Sequence, residues 1–322
     1  MNHPFKRLAM LTLLLSLCAG AIAQSYPTRP VTFTSAMAAG STTDILAREV
    51  AKLLSERMGQ AIIVETVSGG GGIVAAKKVI NAQPDGYSLL FVTNGLTSNQ
   101  AMRSKPDFDI VKDLVAISPL FEGIFGIYIN PDLPVRTLQE FVAYAKARPG
   151  KINYGTSGIG GIVHLVNADF AVRAGLDMVH VPYKGGAEYL PATMANQVQL
   201  SFADVTFAQP QADAGKVRLL AVTSKQRLPQ MPNVPTFEES GFPGYAPTFW
   251  TGLYAPRGTP QAIIDRINAE VRAIITPPEA KARYAARGYQ TLWMTPAEAQ
   301  KRVVDEVAQF NKTIDMVKIE RQ

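Results

Sequence analysis

The chain has 322 residues, of which 47% are hydrophobic and 18% are charged, and its formal net charge is +6. Lysine and arginine are scattered along it and form no run of five or more, so the sequence argues against a nucleic-acid partner. A mild positive excess of this size tolerates small anionic ligands.

The first residues have the pattern of a secretory signal peptide. Lys6 and Arg7 precede the apolar run LAMLTLLLSLCAG, and the small-residue pattern Ala21-Ile22-Ala23 follows it. We therefore expect residues 1–23 to be removed by cleavage after Ala23, with export to the periplasm. A lipid anchor on Cys18 is the alternative, but Leu17 stands where a small residue is expected.

Removal of residues 1–23 takes away Lys6 and Arg7 and no acidic residue, so the formal charge falls from +6 to +4. It also removes the single cysteine, Cys18, which excludes disulfides, thiolate metal sites and cysteine nucleophiles from the mature chain. No later window approaches the roughly 18 apolar residues that a membrane-spanning helix needs.

From Arg29 the chain repeats a unit of a β-rich run, a turn rich in Gly, Ser and Thr, and a helical pattern, which is typical of parallel α/β architecture. The unit restarts at KINYGT, and two apolar extended runs, LFEGIFGIYINP and YAPTFWTGLYAP, bracket the second block. The pattern predicts an α/β fold with two lobes, each a mostly parallel sheet flanked by helices, joined by crossover strands at a hinge. We place lobe 1 at residues 24–126 and 251–322 and lobe 2 at 127–250, with ligand between them.

Two helices are expected in the C-terminal tail. Thr259-Pro260 and Thr295-Pro296 each offer a capping residue followed by a proline. Proline is favoured at the first position of a helix, so we expect Pro260 and Pro296 to occupy those positions.

The stretch MAAGSTTDILARE, residues 37–49, marks the junction of a strand and a helix, and Gly59 ends that helix. Ser41 and Asp44 have the spacing of a capping box, which gives Asp44 a structural role as the alternative to ordering a ligand. Small residues and the free N–H groups of a helix start attract anions, and no lysine follows to make a nucleotide-phosphate loop. The residues predicted to bind ligand here are Met37, Ala38, Ala39, Gly40, Ser41, Thr42 and Asp44, with a tight turn as the alternative.

Other strand ends carry polar or small residues. In NYGTSGIGG, hydroxyl groups and glycine N–H groups again precede a helix, so two facing loops would hold an anion from both sides. Asp204 interrupts the apolar strand LSFADVTF, and it either faces a ligand hydroxyl or ammonium group or caps local backbone. The residues predicted to bind ligand at these ends are Thr93, Asn94, Thr156, Ser157, Gly158, Gly160, Gly161 and Asp204, with ordinary turns as the alternative.

Signals for cofactors and catalysis are weak. The run Gly70-x-Gly72-x-x-Ala75 matches a dinucleotide-binding pattern, but no acidic residue follows about 20 positions later, which favours a plain backbone turn. His164 and His180 lack a zinc-ligand spacing. We therefore predict no cofactor, no metal and no catalytic residue. Phe249 and Trp250 are expected in the core beneath the hinge, with an aromatic wall of the cleft as the alternative.

Eight motifs occur in a fixed order: YPTRPVTF, AAGSTTDILARE, GGGGIVAAKKVINAQPDGYSLLF, NYGTSGIGGIVHL, HVPYKGG, GKVRLLAVTSKQR, VPTFEESGFPGY and WTGLYAPRGTP. Together they resemble the periplasmic solute receptors of tripartite tricarboxylate transporters, the Bug family, from about Tyr26 to Gly288. The resemblance implies a fold like that of periplasmic binding proteins, which closes on a small carboxylate and delivers it to a membrane permease. The chain departs from the family's first-loop pattern at Ala36, Met37 and Ser41, where the family has Pro, Phe and Gly.

We therefore expect a non-enzymatic, monomeric solute receptor for a di- or tricarboxylate, an acidic amino acid or an aromatic carboxylate. One alternative is a secreted hydrolase or transferase that uses Ser157 or Asp204 with His164. Another is a ligand-sensing partner of a signalling protein, which would use the same cleft.

Overall fold

The computed structural model of the protein describes residues 26–317, 320 and 321, so the predicted signal peptide and Cys18 lie outside the described residues. The strands are β1 Val31–Ser35, β2 Ile62–Thr66, β3 Ser88–Thr93, β4 Leu114–Ile129, β5 Ile152–Thr156, β6 Met178–Pro182, β7 Leu200–Asp204, β8 Arg218–Val222, β9 Thr248–Pro256 and β10 Gln290–Thr291. The helices are α1 Thr42–Met58, α2 Ile73–Ile80, α3 Gly95–Ala101, α4 Ile110–Asp113, α5 Leu138–Lys146, α6 Ile162–Ala174, α7 Gly186–Met194, α8 Val205–Asp213, α9 Gln261–Ile275, α10 Pro278–Ala285 and α11 Pro296–Val317, with a 3₁₀ turn at Gly70–Gly72.

The strands form one curled sheet in the order β2-β1-β3-β9-β4-β7-β5-β6, and β8 and β10 also pair with β4. Pairs among β1, β2 and β3 and among β5, β6 and β7 are parallel, whereas every pair that involves β4 or β9 is antiparallel. Two parallel groups are therefore joined through two long antiparallel strands.

Strand β4 belongs to both groups. Its residues from Leu114 to Ile124 pair with β9, and those from Phe125 to Ile129 pair with β7, while β8 pairs with residues from Gly126 onwards. We use "first half" for β1–β3, β9, β10 and β4 up to Ile124, with their helices, and "second half" for β5–β8 and the rest of β4, with theirs. The lobe limits predicted from the sequence, 126/127 and 250/251, stay a prediction.

The start of α1 follows from the sequence pattern. Leu46, Val50 and Leu54 lie on one buried face, and the helix ends at Gly59 in a left-handed conformation with φ of 70°. In the tail, Pro296 opens α11 as predicted. The prediction for Pro260 is wrong by one position: α9 begins at Gln261, because Pro260 keeps an extended ψ of 135° and serves as the N-cap.

Helix α11 has 22 residues and returns across the molecule to contact α3 and β4. It carries charged residues throughout, including Glu306, which is discussed below. In the part of the chain that the structure describes, no helix combines the length and the apolar character needed to cross a membrane.

The topology collects helix starts at one edge of the sheet. Helices α1, α6, α7 and α8 follow β1, β5, β6 and β7 respectively. Because the strands within each group run in parallel, their carboxyl ends and the N-termini of the following helices share an edge. The two groups bring these edges together where β4 changes partner, and this position is where a ligand site is expected in such folds.

Candidate functional site

A cavity of about 60 Å³ lies between the two halves, at the edge where strands end and helices begin. The first half contributes the loop after β1, the start of α1 and the end of β3, and the second half contributes the ends of β5 and β7 and the starts of α6 and α7. The lining residues are Met37, Ser41, Thr42, Thr43, Thr93, Phe125, Ser157, Ile162, Val163, Gly186, Tyr189, Asp204, Phe207 and Phe249.

Three helices have their N-terminal ends at this cavity. Thr42 and Thr43 open α1, Ile162 and Val163 open α6, and Gly186 opens α7. The first N–H groups of a helix have no acceptor inside it, and in residues 26–317 those of the first two residues of α1 and α6 bond to no other acceptor. The partial positive charges of three helix ends therefore meet in a small volume, which favours an anion.

Asp44 shapes the loop before α1 and does not line the cavity. Its Oδ2 accepts from the Gly40 N–H at 3.1 Å and from Arg48 Nε at 3.0 Å, and its Oδ1 accepts from the Thr66 hydroxyl at 3.0 Å. Burial raises the pKa of Asp44, but these hydrogen bonds outweigh it and leave the pKa below its usual value. Half of the predicted capping box is present, because the Ser41 hydroxyl accepts from the Asp44 N–H at 3.5 Å. The other half is absent: the Asp44 carboxylate accepts from the N–H of Gly40 instead of from that of Ser41.

Asp204 caps a helix and also bonds to the first half. Its Oδ1 accepts from the Thr206 N–H at 3.0 Å at the start of α8. Its Oδ2 accepts from the Thr42 hydroxyl at 2.9 Å and from the Tyr289 hydroxyl. Burial raises the pKa of Asp204 to about 6, against the opposing effects of these bonds and of Arg287. The capping role expected from the sequence is therefore observed, and the same side chain reaches the cavity.

Glycine-rich backbone from the two halves meets beside the cavity. A Cβ atom built on Gly158 would lie 3.0 Å from the backbone nitrogen of Gly71, and the Ser98 hydroxyl donates to the Gly160 carbonyl at 2.8 Å. The run predicted to be a plain turn, residues 70–75, indeed begins with a 3₁₀ turn that packs against the second half. Glycine is needed here because the two backbones approach too closely for side chains.

Apolar side chains form the remaining walls. Phe125 of β4 and Phe249 of β9 are in contact at the point where β4 changes partner, with ring centroids 5.2 Å apart and ring planes tilted by 48°. Phe207 of α8 and Met37 add to the lining. The cavity therefore combines backbone donors with a hydrocarbon surface, as small-molecule sites commonly do.

The model of the family described as "Tripartite tricarboxylate transporter family receptor" matches residues 46–319 of the chain. The chain belongs to this receptor family. The resemblance noted in the sequence is thereby confirmed. The Bug relationship is supported by a similar solved structure, described as periplasmic binding protein BugD. BugD has 30% identity to this receptor and a TM-score of 0.87, and the match covers 92% of this receptor and 100% of BugD.

Two similar structures contain ligands. Rpa4515 of R. palustris with adipate has 31% identity and a TM-score of 0.88, and the match covers 92% of this receptor and 99% of that chain. MatC of Rhodopseudomonas palustris with bound malate has 28% identity and a TM-score of 0.85, covering 90% and 100%. These matches confirm the predicted α/β fold of the periplasmic-binding-protein type.

The structure brings together some of the predicted ligand residues and places others behind the cavity. Met37, Ser41, Thr42, Thr93, Ser157 and Asp204 line the cavity. Ala38, Ala39, Gly40, Gly158, Gly160 and Gly161 belong to its two loops without lining it. Asn94 is turned away, because its Nδ2 donates to Glu306 of α11 at 2.9 Å, and Thr156 lies 2.6 Å from His180 Nε2.

The two histidines support the second loop of the receptor. Their rings stack with centroids 4.0 Å apart, and His164 Nδ1 accepts from the Gly160 N–H at 3.2 Å. Burial lowers the pKa of both to about 4, with the neighbouring imidazole adding to the effect on His180, so both are neutral near pH 7. In residues 26–317, no group of three or more His, Cys, Asp or Glu residues is arranged to hold a metal ion.

Several lining residues were not predicted from the sequence. The sequence suggested an aromatic wall for Phe249 and Trp250, of which Phe249 lines the cavity and Trp250 does not. Phe125, Phe207 and Tyr189 had no distinguishing signal, because each lies in an apolar or mixed run. Tyr289, which bonds to Asp204, follows α10 in a segment without a clear pattern. Ile162 and Val163 could have been inferred from the helix start alone, because any first-turn residue presents its N–H group.

Asp204 should make the receptor less stable as the pH rises. Its pKa is about 6 in the folded chain and 3.8 ordinarily, so between these values the folded state keeps a proton that the unfolded state has lost. Stability therefore falls between about pH 4 and pH 6, by up to about 3 kcal/mol. We expect Asp204→Asn to remove this part of the dependence, measured by urea unfolding of both proteins from pH 4 to 7. Identical pH profiles for the two proteins would contradict the assignment.

Proposed function

We propose that the receptor binds a small carboxylate between its halves and passes it to the membrane permease of a tripartite tricarboxylate transporter. The observation that carries this proposal is the meeting of the N-termini of α1, α6 and α7 at one cavity. A hydrogen bond to a charged group contributes about 1.5–3 kcal/mol. Four unpaired N–H groups can therefore supply the roughly 8 kcal/mol that corresponds to micromolar affinity.

The walls support a carboxylate with a hydrocarbon body. Phe125, Phe207 and Phe249 offer apolar surface beside the backbone donors. The similar receptors described above hold adipate and malate, which are both dicarboxylates. Dicarboxylates are thus the first class to test, followed by tricarboxylates, acidic amino acids and aromatic carboxylates.

Ligand entry requires the two halves to separate. The cavity, at about 60 Å³, holds only a few water-sized positions and is bounded by both halves. Contacts such as Thr42 with Asp204 and Ser98 with Gly160 bridge the halves directly. We infer that the two lobes open and close about β4 and β9, lobe 1 being residues 24–126 with 251–322 and lobe 2 being residues 127–250. Ligand would shift this equilibrium towards the closed form.

Binding without catalysis is the function that the side chains favour. In residues 26–317, neither Ser157 nor Asp204 hydrogen-bonds His164, whose Nδ1 is occupied by the Gly160 N–H. A nucleophile and its base need a direct hydrogen bond. The hydrolase alternative therefore lacks the contact that would favour it, and the family and its structural relatives are binding proteins.

The setting of this activity follows from the family. Receptors of this class work in the periplasm, and the predicted signal peptide with cleavage after Ala23 would deliver the chain there. We propose that it acts as a monomer and that the permease recognises the closed form. Capture by a signalling protein instead of the permease would use the same ligand cavity and is tested by pull-down from membranes.

A thermal-shift screen of residues 24–322 tests the proposal. The protein is first unfolded and refolded to remove any ligand acquired during expression, and then mixed with adipate, malate, succinate, citrate, aspartate, glutamate and benzoate, each beside the amide that lacks its carboxylate charges. At 100 times Kd a ligand stabilises by about 2.7 kcal/mol, which raises Tm by several degrees. A rise with an acid and not with its amide is expected. No rise with any acid would overturn the proposed ligand class.

A further inference from the structure

One carboxylate stands among groups that otherwise attract anions. Of the residues that line the cavity in the described part of the chain, Asp204 is the one with an acidic side chain. It shares about 60 Å³ with the N-terminal ends of α1, α6 and α7, so a ligand carboxylate held by those N–H groups must lie close to it. Two carboxylates within a few ångströms in a buried site disfavour the ionisation of one of them.

We propose that Asp204 takes up one proton from solvent when a carboxylate enters the cavity, so that the receptor binds the acid anion and a proton together. The inference rests on the proposed function, because it requires a carboxylate at the helix N-termini. Its consequence is a receptor whose affinity for carboxylates falls as the pH rises.

The surroundings of Asp204 allow it to hold a proton without moving. Its three donors come from three segments: Thr206 on α8, Thr42 on α1, and Tyr289 before β10. The two hydroxyl groups can accept as well as donate, so the protonated carboxyl group keeps partners in the same positions. Side-chain movement away from the ligand would instead break the cap of α8 and both bonds to the first half.

Nearby charges do not neutralise Asp204. Arg287 is the cation that acts on it, and its Nη1 already donates to Glu49 Oε2 of α1 at 2.7 Å. The other titratable groups that face Asp204 are Tyr128 of β4, Tyr189 of α7 and Tyr289. Burial raises the pKa of each of these tyrosines, so all three stay neutral near pH 7.

The groups beneath the second loop do not titrate in the relevant range. Burial lowers the pKa of His164 and His180 to about 4, so neither changes charge between pH 6 and 8. Burial has already raised the pKa of Asp204 to about 6 in the absence of another anion. A further rise of one to two pH units on ligand binding, about 1.4–2.7 kcal/mol, is enough for protonation near neutral pH. Small dicarboxylates are fully ionised at pH 7.5, because free carboxyl groups have pKa values near 4. A proton taken up on binding is therefore drawn from solvent and is not carried in by the ligand.

Titration calorimetry in two buffers measures this proton directly. The probe is the acid from the screen panel that gives the largest thermal shift, titrated at pH 7.5 in triethanolamine and in Tris, two amine buffers that supply no anion of their own, at equal ionic strength. The difference in observed enthalpy, divided by the difference in buffer ionisation enthalpy, gives the protons bound. We expect about 0.5–1 proton per ligand and a Kd that rises up to about tenfold from pH 7 to pH 8.

Asp204→Asn removes the carboxyl group that is proposed to take up the proton and keeps an acceptor for the cap of α8. Asparagine can still accept the Thr206 N–H, and we expect its proton uptake to fall to near zero and its Kd to become independent of pH. Asp109→Asn is the matched control: Asp109 also caps a helix, accepting from the N–H groups of Val111 and Lys112, and lies outside the cavity. This control should keep the wild-type proton uptake.

The outcomes distinguish this inference from the proposed function. Binding with equal enthalpies in the two buffers would overturn proton uptake and leave carboxylate binding intact. Proton release would also overturn it, because a ligand ammonium group facing ionised Asp204 gives that sign. If Asp204→Asn fails to fold, the wild-type enthalpy difference and pH profile still decide the matter. The absence of binding by every acid would instead count against the proposed function.

Discussion

Thr42→Asp should abolish carboxylate binding, whereas Thr42→Asn should retain most of it. Thr42 is the first residue of α1, lines the cavity and donates its hydroxyl to Asp204 at 2.9 Å. An aspartate there adds a negative charge where the ligand anion is proposed to sit, and it places two carboxylates within hydrogen-bonding distance of each other. At an effective dielectric constant near 20, two such charges about 4 Å apart repel by about 4 kcal/mol.

Relief of that repulsion by protonation or opening reduces the cost, so we expect Kd for the best acid of the panel to rise by about 100-fold or more. Asparagine preserves size and offers an N–H donor to Asp204 without adding charge, and its Kd should stay within about tenfold of wild type. Calorimetric titration of the three proteins at one pH supplies the comparison.

Thr42→Asp is a sharp test because it does not weaken its own helix. Acidic residues in the first turn stabilise a helix by about 0.3–1 kcal/mol. A fall in Tm below that of Thr42→Asn, in the absence of ligand, should therefore come from repulsion between the new carboxylate and Asp204, and it should shrink as Asp204 takes up a proton below about pH 6. A Kd within threefold of wild type for Thr42→Asp would show that the N-terminus of α1 does not hold the anion.

The parts of the site that the sequence predicted are those whose chemistry is local. A strand that gives way to a helix through small and hydroxyl residues identifies free N–H groups without reference to the rest of the chain. This is why Ser41, Thr42 and Ser157, all at such junctions, are found at the cavity. The parallel α/β units and the two extended crossover segments were predicted for the same reason, from periodicity and turn residues.

The parts that the sequence did not predict depend on distant partners. Thr93 and Asn94 are adjacent polar residues at the end of β3, yet Thr93 lines the cavity and Asn94 bonds to Glu306. Glu306 also accepts from Trp250 Nε1 at 2.8 Å and from Thr97 at 2.8 Å, so it occupies the polar groups on that side. A carboxylate on a C-terminal helix decides the role of an amide near the start of the chain. Local pattern carries no information about that pairing.

Aromatic residues were ambiguous for a different reason. Phe249 and Trp250 are neighbours on β9, and successive side chains of a strand point to opposite faces. Phe249 faces the cavity, whereas Trp250 lies on the other face with its indole nitrogen bonded to α11. The sequence places both on the crossover strand, and the register of β9 against β4 determines which of them faces the cavity.

Gly71→Ala should weaken ligand binding by at least about tenfold by opposing closure of the two halves. Gly71 has φ of 64°, and a Cβ atom there would lie 2.2 Å from Asn99 Nδ2 of the first half. The same atom would lie 3.3 Å from the Ile159 carbonyl oxygen and 3.4 Å from the Gly161 nitrogen of the second half. Asn99 cannot retreat from the new methyl group freely, because it is buried and its Nδ2 donates to the Gly70 carbonyl at 2.9 Å and to the Gly71 carbonyl at 3.3 Å.

Gly241→Ala is the control for backbone strain. Gly241 also has a positive φ, 93°, but a Cβ atom there meets no other heavy atom within 4 Å. Both variants carry the cost of about 1 kcal/mol or more for an alanine in the left-handed region. Only Gly71→Ala places a methyl group against Asn99 and against the second half, so a difference in Kd between the two variants reports these contacts and not backbone strain.

Removal of the Asn99 side chain should restore part of the affinity. The double variant Gly71→Ala with Asn99→Ala relieves the shortest contact, and its Kd should be lower than the product of the two single effects predicts. Such coupling between neighbours is measured by a double-mutant cycle. Small-angle scattering of each variant, with and without the selected acid, reports whether the closed population has changed. If Gly71→Ala binds and closes like Gly241→Ala, the glycine contact beside the cavity is not part of the closing surface, and the helix ends together with Asp204 must hold the halves together on their own.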